Sequence, residues 1–191
     1  SVDSATATVD EMTHHVFKTT QGNRHELVRT LASGKGRRIL FTRTKFQTQK
    51  LAKDLTQNGI PAAELHGNLS QNQRDRNLAA FNSGDVNVMV ATDVAARGID
   101  VSGVELVVQV EPPEDPKSFL HRSGRTARAG HSGDVVTIIL PNQRRRTRRM
   151  MREAGLTVEP IDVTPDSPEV LELVGEVAEP VFGWTLEQSQ P

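Results

Sequence analysis

The stretch Arg38–Leu65, RILFTRTKFQTQKLAKDLTQNGIPAAEL, decides the fold. It opens on the apolar run Ile39-Leu40-Phe41, which predicts a strand over Arg38–Thr42. Leu51, Ala52 and Leu55 then recur at helical spacing, predicting a helix from Lys45 to Asn58. Asn58-Gly59 supplies a helix stop, Pro61 bars continuation, and Ala62–Leu65 predicts a second short strand. A strand, an amphipathic helix and another strand in close succession are the unit from which parallel sheets with crossover helices are built.

The same alternation extends in both directions. Further strands are expected over His14–Thr19, Val86–Ala91, Leu106–Val110 and Val135–Leu140. Ser70 is placed to cap a helix with Gln73 as its capping-box partner, and Ser83-Gly84 ends it. The sum is an α/β domain with a parallel sheet of five to six strands between helical layers, a three-layer αβα arrangement over residues 14–160. After Ile161 the chain changes character, with Pro165, Pro168, Pro180, several acids and little helical periodicity outside Val170 to Val177, so residues 161–191 are expected to form a flexible tail rather than to dock Phe182 and Trp184 on the domain or on a neighbour. No internal repeat is visible.

Composition narrows the chemistry. The 191 residues suit one domain with tails, and a net charge of -1 gives no global basic field, so contact with a polyanion requires a local patch. The absence of cysteine excludes disulfides and thiolate catalysis and fits a reducing, cytoplasmic setting. Apolar runs such as Val135–Leu140 fall far below the roughly 18 residues needed to span a bilayer, so no membrane association is expected. Ser1 is compatible both with processing and with a piece of a longer protein.

Three blocks stand where parallel sheets bind ligands, just beyond strand ends. In His121-Arg122-Ser123-Gly124-Arg125-Thr126-Ala127-Arg128-Ala129-Gly130, three arginines are spaced three apart and flanked by glycines. Guanidinium groups so placed can converge on a transferring phosphoryl group and neutralise its developing charge, although a solvated basic turn would have the same composition. In Ala91-Thr92-Asp93-Val94-Ala95-Ala96-Arg97-Gly98-Ile99-Asp100, Thr92 offers a hydroxyl, Gly98 a tight turn and Asp100 an acceptor for ribose hydroxyls. In Leu65-His66-Gly67-Asn68-Leu69-Ser70-Gln71-Asn72-Gln73-Arg74 a strand end meets a helix start, and Gln71 and Arg74 share a helix face suited to a nucleic-acid backbone. Capping and ordinary polar loops would account for the last two blocks taken singly.

In this order, with Ile39-Leu40-Phe41-Thr42-Arg43-Thr44-Lys45 before them, these blocks resemble the DEAD-box RNA helicases, bacterial type, in their C-terminal RecA-like (P-loop NTPase-type) domain, over His14 to Leu140. The four blocks match motif IV, the following RNA-binding element, motif V and motif VI. The resemblance implies that Arg125 and Arg128 contact the γ-phosphate of ATP, Arg128 as the arginine finger, and that Gly98 and Asp100 hold the nucleotide. It implies that Thr44, Gly67, Gln71, Arg74 and Thr92 face the RNA backbone, while Arg97 and His121 serve the interface with an N-terminal RecA-like domain, to which residues 1–13 would be the linker. RNA would be preferred over DNA through its 2′-hydroxyls.

Arg43 stands where the family often has an acid, Ala127 where glycine is usual and Ser123 where an aliphatic is common, yet no required charge is lost. A phosphate-binding Gly-x-x-x-x-Gly-Lys-Ser/Thr loop and an Asp-Glu-Ala-Asp motif are missing; the resemblance assigns them, and the Mg²⁺ that accompanies ATP, to the N-terminal domain. The chain by itself is therefore expected not to hydrolyse ATP. Arg144-Arg145-Arg146-Thr147-Arg148-Arg149-Met150-Met151-Arg152 predicts a helix with Arg145, Arg148, Arg149 and Arg152 on one face and Thr147, Met151 and Ala154 on another. The arginine face suits RNA phosphates or simple solvation. Few aromatics and no tyrosine argue against base stacking. A stand-alone RNA-binding or annealing module, a DNA helicase half and a purely structural domain remain the competing readings.

Overall fold

The computed structural model describes residues 12–124 and 133–186. Their strands are β1 (Met12–Lys18), β2 (Arg37–Thr42), β3 (Ala62–Leu65), β4 (Val88–Thr92), β5 (Val104–Gln109), β6 (Gly133–Ile139) and β7 (Ile161–Asp162). The helices are α1 (Gln21–Ala32), α2 (Lys45–Gln57), α3 (Gln71–Asn82), α4 (Asp93–Ala96), α5 (Pro116–Ser123), α6 (Arg144–Glu153) and α7 (Pro168–Val174). The strands form one sheet in the order β3-β4-β2-β5-β6-β1-β7, and every pairing is parallel. All strand ends therefore point to a single edge, from which the loops to α2, α3, α4 and α5 depart.

Side-chain alternation along the strands builds two cores. Leu40, Val88, Val90, Val108 and Val136 pack beneath α1, α2 and α7, while Ile39, Phe41, Met89 and Ala91 pack beneath α3 and α4 on the other face. On that second face α5 and α6 cover the far side of the sheet through Phe119, Met150 and Met151 against Val16 and Ile139. The predicted central strands hold to within two residues. Thr44 and Ser70 both close capping boxes, with Gln47 and Gln73 respectively, which fixes where α2 and α3 begin.

The tail expectation needs correction. Residues beyond 160 add a seventh strand through Phe17↔Ile161 and Lys18↔Asp162. They also send Val163, Val170 and Val174, each under 7% exposed, into the first core. Onward from α7 the chain runs as a strap beneath the sheet, at the edge opposite the loops. Lys35 N–H donates to Glu176 O (2.8 Å), Ala178 N–H to Ser33 O (2.9 Å) and Val181 N–H to Gly59 O (2.9 Å). Trp184 Nε1–H then reaches Asp85 Oδ2 at 3.1 Å. The sequence hid this because a two-residue strand has no readable period and the strap is held by backbone groups.

Arg38 lies beside the strap at 2% exposure. It is satisfied by Nη1–H to Leu31 O (2.7 Å) and Nε–H to Gly36 O (2.7 Å). Burial pulls its pKa below the ordinary arginine value, with Glu105 opposing that pull.

Candidate functional site

At the loop edge, neighbouring strands β2, β4 and β3 deliver the first three loops side by side. After β2, Thr44 Oγ1 accepts from Gln47 N–H (3.1 Å) and Gln47 Oε1 accepts from Thr44 N–H (3.2 Å). Gln47 Nε2–H continues to Glu111 Oε1 at 2.7 Å, tying α2 to the chain just beyond β5. The cap uses a lone pair of the exposed Thr44 hydroxyl and leaves its O–H able to donate outward. Lys45 Nζ bridges to Asn68 Oδ1 (3.1 Å) in the next loop.

After β3, His66 is buried, and its Nδ1 accepts from Asn68 N–H at 3.2 Å. The ring proton therefore sits on Nε2, which donates to Glu64 Oε1 at 3.2 Å. This histidine positions the loop. Gly67 beside it is exposed, has no positive φ, and would place a Cβ with nothing within 4 Å. Nothing among the described residues requires glycine there, and the missing side chain leaves the backbone open to approach from outside. Gln71 and Arg74 share a face as expected, but each also has an internal contact. Gln71 Nε2–H donates to Asp75 Oδ1 (2.9 Å), and Arg74 Nη1–H donates to Ala95 O (2.9 Å), bracing α3 against α4. The other guanidinium N–H groups of Arg74 stay available at the half-buried rim.

After β4, Thr92 starts α4 without a side-chain capping bond. Its neighbour Asp93 has a role that the sequence reading missed. Arg122, 3% exposed, turns inward from α5 to form a bidentate pair with Asp93, Nε to Oδ1 and Nη2 to Oδ2, the latter at 2.8 Å. Its Nη1 also reaches Gln109 Oε1 (3.3 Å) and Glu111 O (3.4 Å), and the guanidinium lies 5.5 Å from the centroid of Phe41. The first arginine of the triplet is thus a buried strut between α4, α5 and β5. The one signal in the sequence was Gln109, a polar residue inside an apolar strand. Arg125 and Arg128 lie outside the described residues.

Around this strut opens a cavity of about 220 Å³ lined by Phe41, Asp93, Ala96, Arg97, Gly98, His121 and Arg122. It brings together the exposed Arg97 and His121, which are far apart in the chain. Gly98, at φ +74°, makes the turn that exposes this wall. Asp100 is exposed and is not part of this lining; its carbonyl accepts from Asn82 Nδ2–H at 3.3 Å, at the C-terminal end of α3. Thr44, Gly67, Gln71, Arg74 and Thr92 therefore sit on one rim, next to a pocket walled by Arg97, Gly98 and His121.

Residues 21–130 match the family model described as helicase conserved C-terminal domain. The chain is a helicase C-terminal domain of the DEAD-box class. A DEAD-box ATP-dependent RNA helicase 3B, chloroplastic, of Zea mays is 43% identical over 79% of this chain and 20% of its own length. A DEAD box protein from the hyperthermophile Methanococcus jannaschii superposes with a TM-score of 0.74 at 31% identity, covering 80% of this chain and 42% of that one. Domain 2 of the Mss116p DEAD-box helicase, solved bound to an RNA duplex, superposes with a TM-score of 0.68 at 25% identity, covering 85% and 70%. These likenesses support the RecA-like architecture and the DEAD-box class. The DEAD-box domain spans 20% to 24% of the length of the first curated relatives it matches.

Proposed function

We propose that this DEAD-box domain is the C-terminal half of an ATP-dependent RNA helicase, gripping RNA backbone and completing an ATP site begun on an N-terminal RecA-like domain. The observation that carries the reading is the convergence of the three braced loops on one rim beside the Arg97–Gly98–His121 pocket. On the rim, Thr44 and Thr92 present hydroxyls, Gln71 and Arg74 present amide and guanidinium donors, and Gly67 opens the backbone to a phosphate. Contacts of this kind position a strand without reading its bases.

In the same reading Gly98 and Asp100 hold the nucleotide, and Arg97 and His121 meet the N-terminal domain. Arg125 and Arg128 reach the γ-phosphate when the two domains close on ATP and RNA together. Their guanidinium groups would neutralise charge that builds on the equatorial oxygens as the phosphoryl group transfers to water. The Mg²⁺ that accompanies ATP is assigned to the other domain, and this chain alone does not turn ATP over. Closure separates a short duplex locally, and phosphate release reopens the clamp.

The test joins the chain to its N-terminal domain and measures RNA-stimulated ATPase. Arg128→Ala should lower turnover by roughly 10³-fold or more while RNA affinity persists. Unchanged turnover would remove the finger assignment. Equal stimulation by DNA of the same sequence would contradict the RNA preference.

A further inference from the structure

We propose that the outer face of α6 is a second RNA contact, holding phosphates of the strand that continues beyond the segment gripped at the rim. The proposal rests on the RNA reading of the rim and adds a surface which that reading does not use. Six arginines and one glutamate occupy Arg144–Glu153, a local charge of +5 in a chain whose total is -1, so the rest of the protein carries -6. Six of the chain's 23 lysines and arginines thus sit on one ten-residue helix.

Packing fixes which way this charge points. Thr147, Met150 and Met151 are buried, the two methionines against Phe119, Val16 and Ile139. At about 100° per residue, Arg145, Arg148, Arg149 and Arg152 then share a stripe roughly 100° wide on the opposite side, and all four are exposed. Among the described residues, the ion pairs of this helix run from Arg144 and Arg148, both long, at 3.8 and 3.6 Å to Glu159. Arg145, Arg149 and Arg152 are thus open to an external anion.

The composition of the face selects a phosphate backbone. Every cation is arginine, whose planar fork pairs with phosphate oxygens in bidentate fashion. The stripe holds no apolar residue, so it lacks the anchor of a protein hot spot, and the apolar side of the helix is already spent on the core and cannot enter a membrane surface. Position supports the same partner. A cavity of about 190 Å³ joins Gln143 and Arg146 at the start of α6 to Arg43, the residue preceding Thr44 of the rim. Glu114 also lines that cavity beside Arg43 and Arg146, so its charge is mixed, whereas the outer stripe is wholly cationic.

The test uses the two-domain polypeptide with Arg145→Gln, Arg149→Gln and Arg152→Gln combined. It is titrated with a short single-stranded RNA that fills only the rim and with the same RNA carrying an extension. Wild type should bind the extended RNA more tightly. The variant should lose roughly tenfold on the extended RNA, with the slope of log affinity against log salt shallower by about 2, and nothing on the short one. Equal affinity and slope on the extended RNA would overturn the proposal. So would an equal loss on both RNAs, which would place the effect at the rim or in the fold. Wild-type binding to phosphatidylserine vesicles that the variant loses, with extended-RNA binding intact, would assign the stripe to a lipid surface instead. Failure of wild type to bind the short RNA would strike the rim reading separately.

Discussion

Gly34 and Gly59 at one edge of this sheet and Gly67 at the other are small for opposite reasons. Beneath the sheet, a methyl on Gly34 would collide with the carbonyl oxygen of Val174 and stand 2.8 Å from the Arg38 guanidinium, and one on Gly59 would meet Phe182 and Pro180 at 2.9 and 3.0 Å. These glycines let the strap close on the turns and are explained by the fold. At the loop edge a methyl on Gly67 meets nothing. A residue that the fold does not need points to something outside it. The same contrast separates Arg38 and Arg122, both buried and hydrogen-bonded to internal partners, from Arg97, which is exposed on the wall of the pocket.

Substitutions that break this contrast should rank by how much internal structure each removes. Arg122→Ala leaves Asp93 without its partner in a site where the carboxylate is only 23% exposed, and should cost about 3–5 kcal/mol in urea unfolding. Gly34→Ala forces the strap away from the α1–β2 turn and should cost about 1–3 kcal/mol by the same assay. Gly67→Ala should shift stability by less than about 0.5 kcal/mol while weakening RNA binding, as a filter or anisotropy titration would show. Loss of stability without loss of binding in that variant would reverse the roles of the two edges.

Asp115 provides a finer test, at the start of the helix that delivers Arg122. Its Oδ1 accepts from Ser118 N–H at 2.7 Å, and that backbone bond, ahead of the Ser118 hydroxyl, holds its carboxyl below the ordinary aspartate range. Because the folded-state pKa is depressed, the stability it contributes is present above the unfolded value of about 4 and is lost as pH falls through the folded value. Asp115→Ala should cost about 1 kcal/mol at neutral pH. The stability difference between wild type and Asp115→Asn should shrink toward zero in acid, as unfolding midpoints across pH would record.

The sequence made the loop edge legible for physical reasons. Ser70 with Gln73 is a local capping box that spacing alone announces, the Thr44–Gln47 box came from the structure, and the apolar runs of β2, β4 and β5 carry the sheet. What it did not reveal depends on contacts between distant residues. The Asp93–Arg122 pair spans 29 positions, and within its own motif Arg122 looks like one more arginine facing outward. The strap was misread for a related reason: its acids and prolines suggest an unfolded extension and outweighed the short helical period from Val170 to Val177, whose Val170 and Val174 join Val163 in the core. Gly67 was singled out by motif position, and only the empty space around it gave that choice a structural argument.

The most direct test of the division between the edges is amide hydrogen exchange of the two-domain polypeptide with and without single-stranded RNA. Protection should appear at the starts of α2 and α3 and at the Thr92 loop, and be absent from Gly175–Leu186. Protection that falls on the strap, or that spares the loops around Thr44, Gly67 and Thr92, would contradict the assignment of RNA to the loop edge.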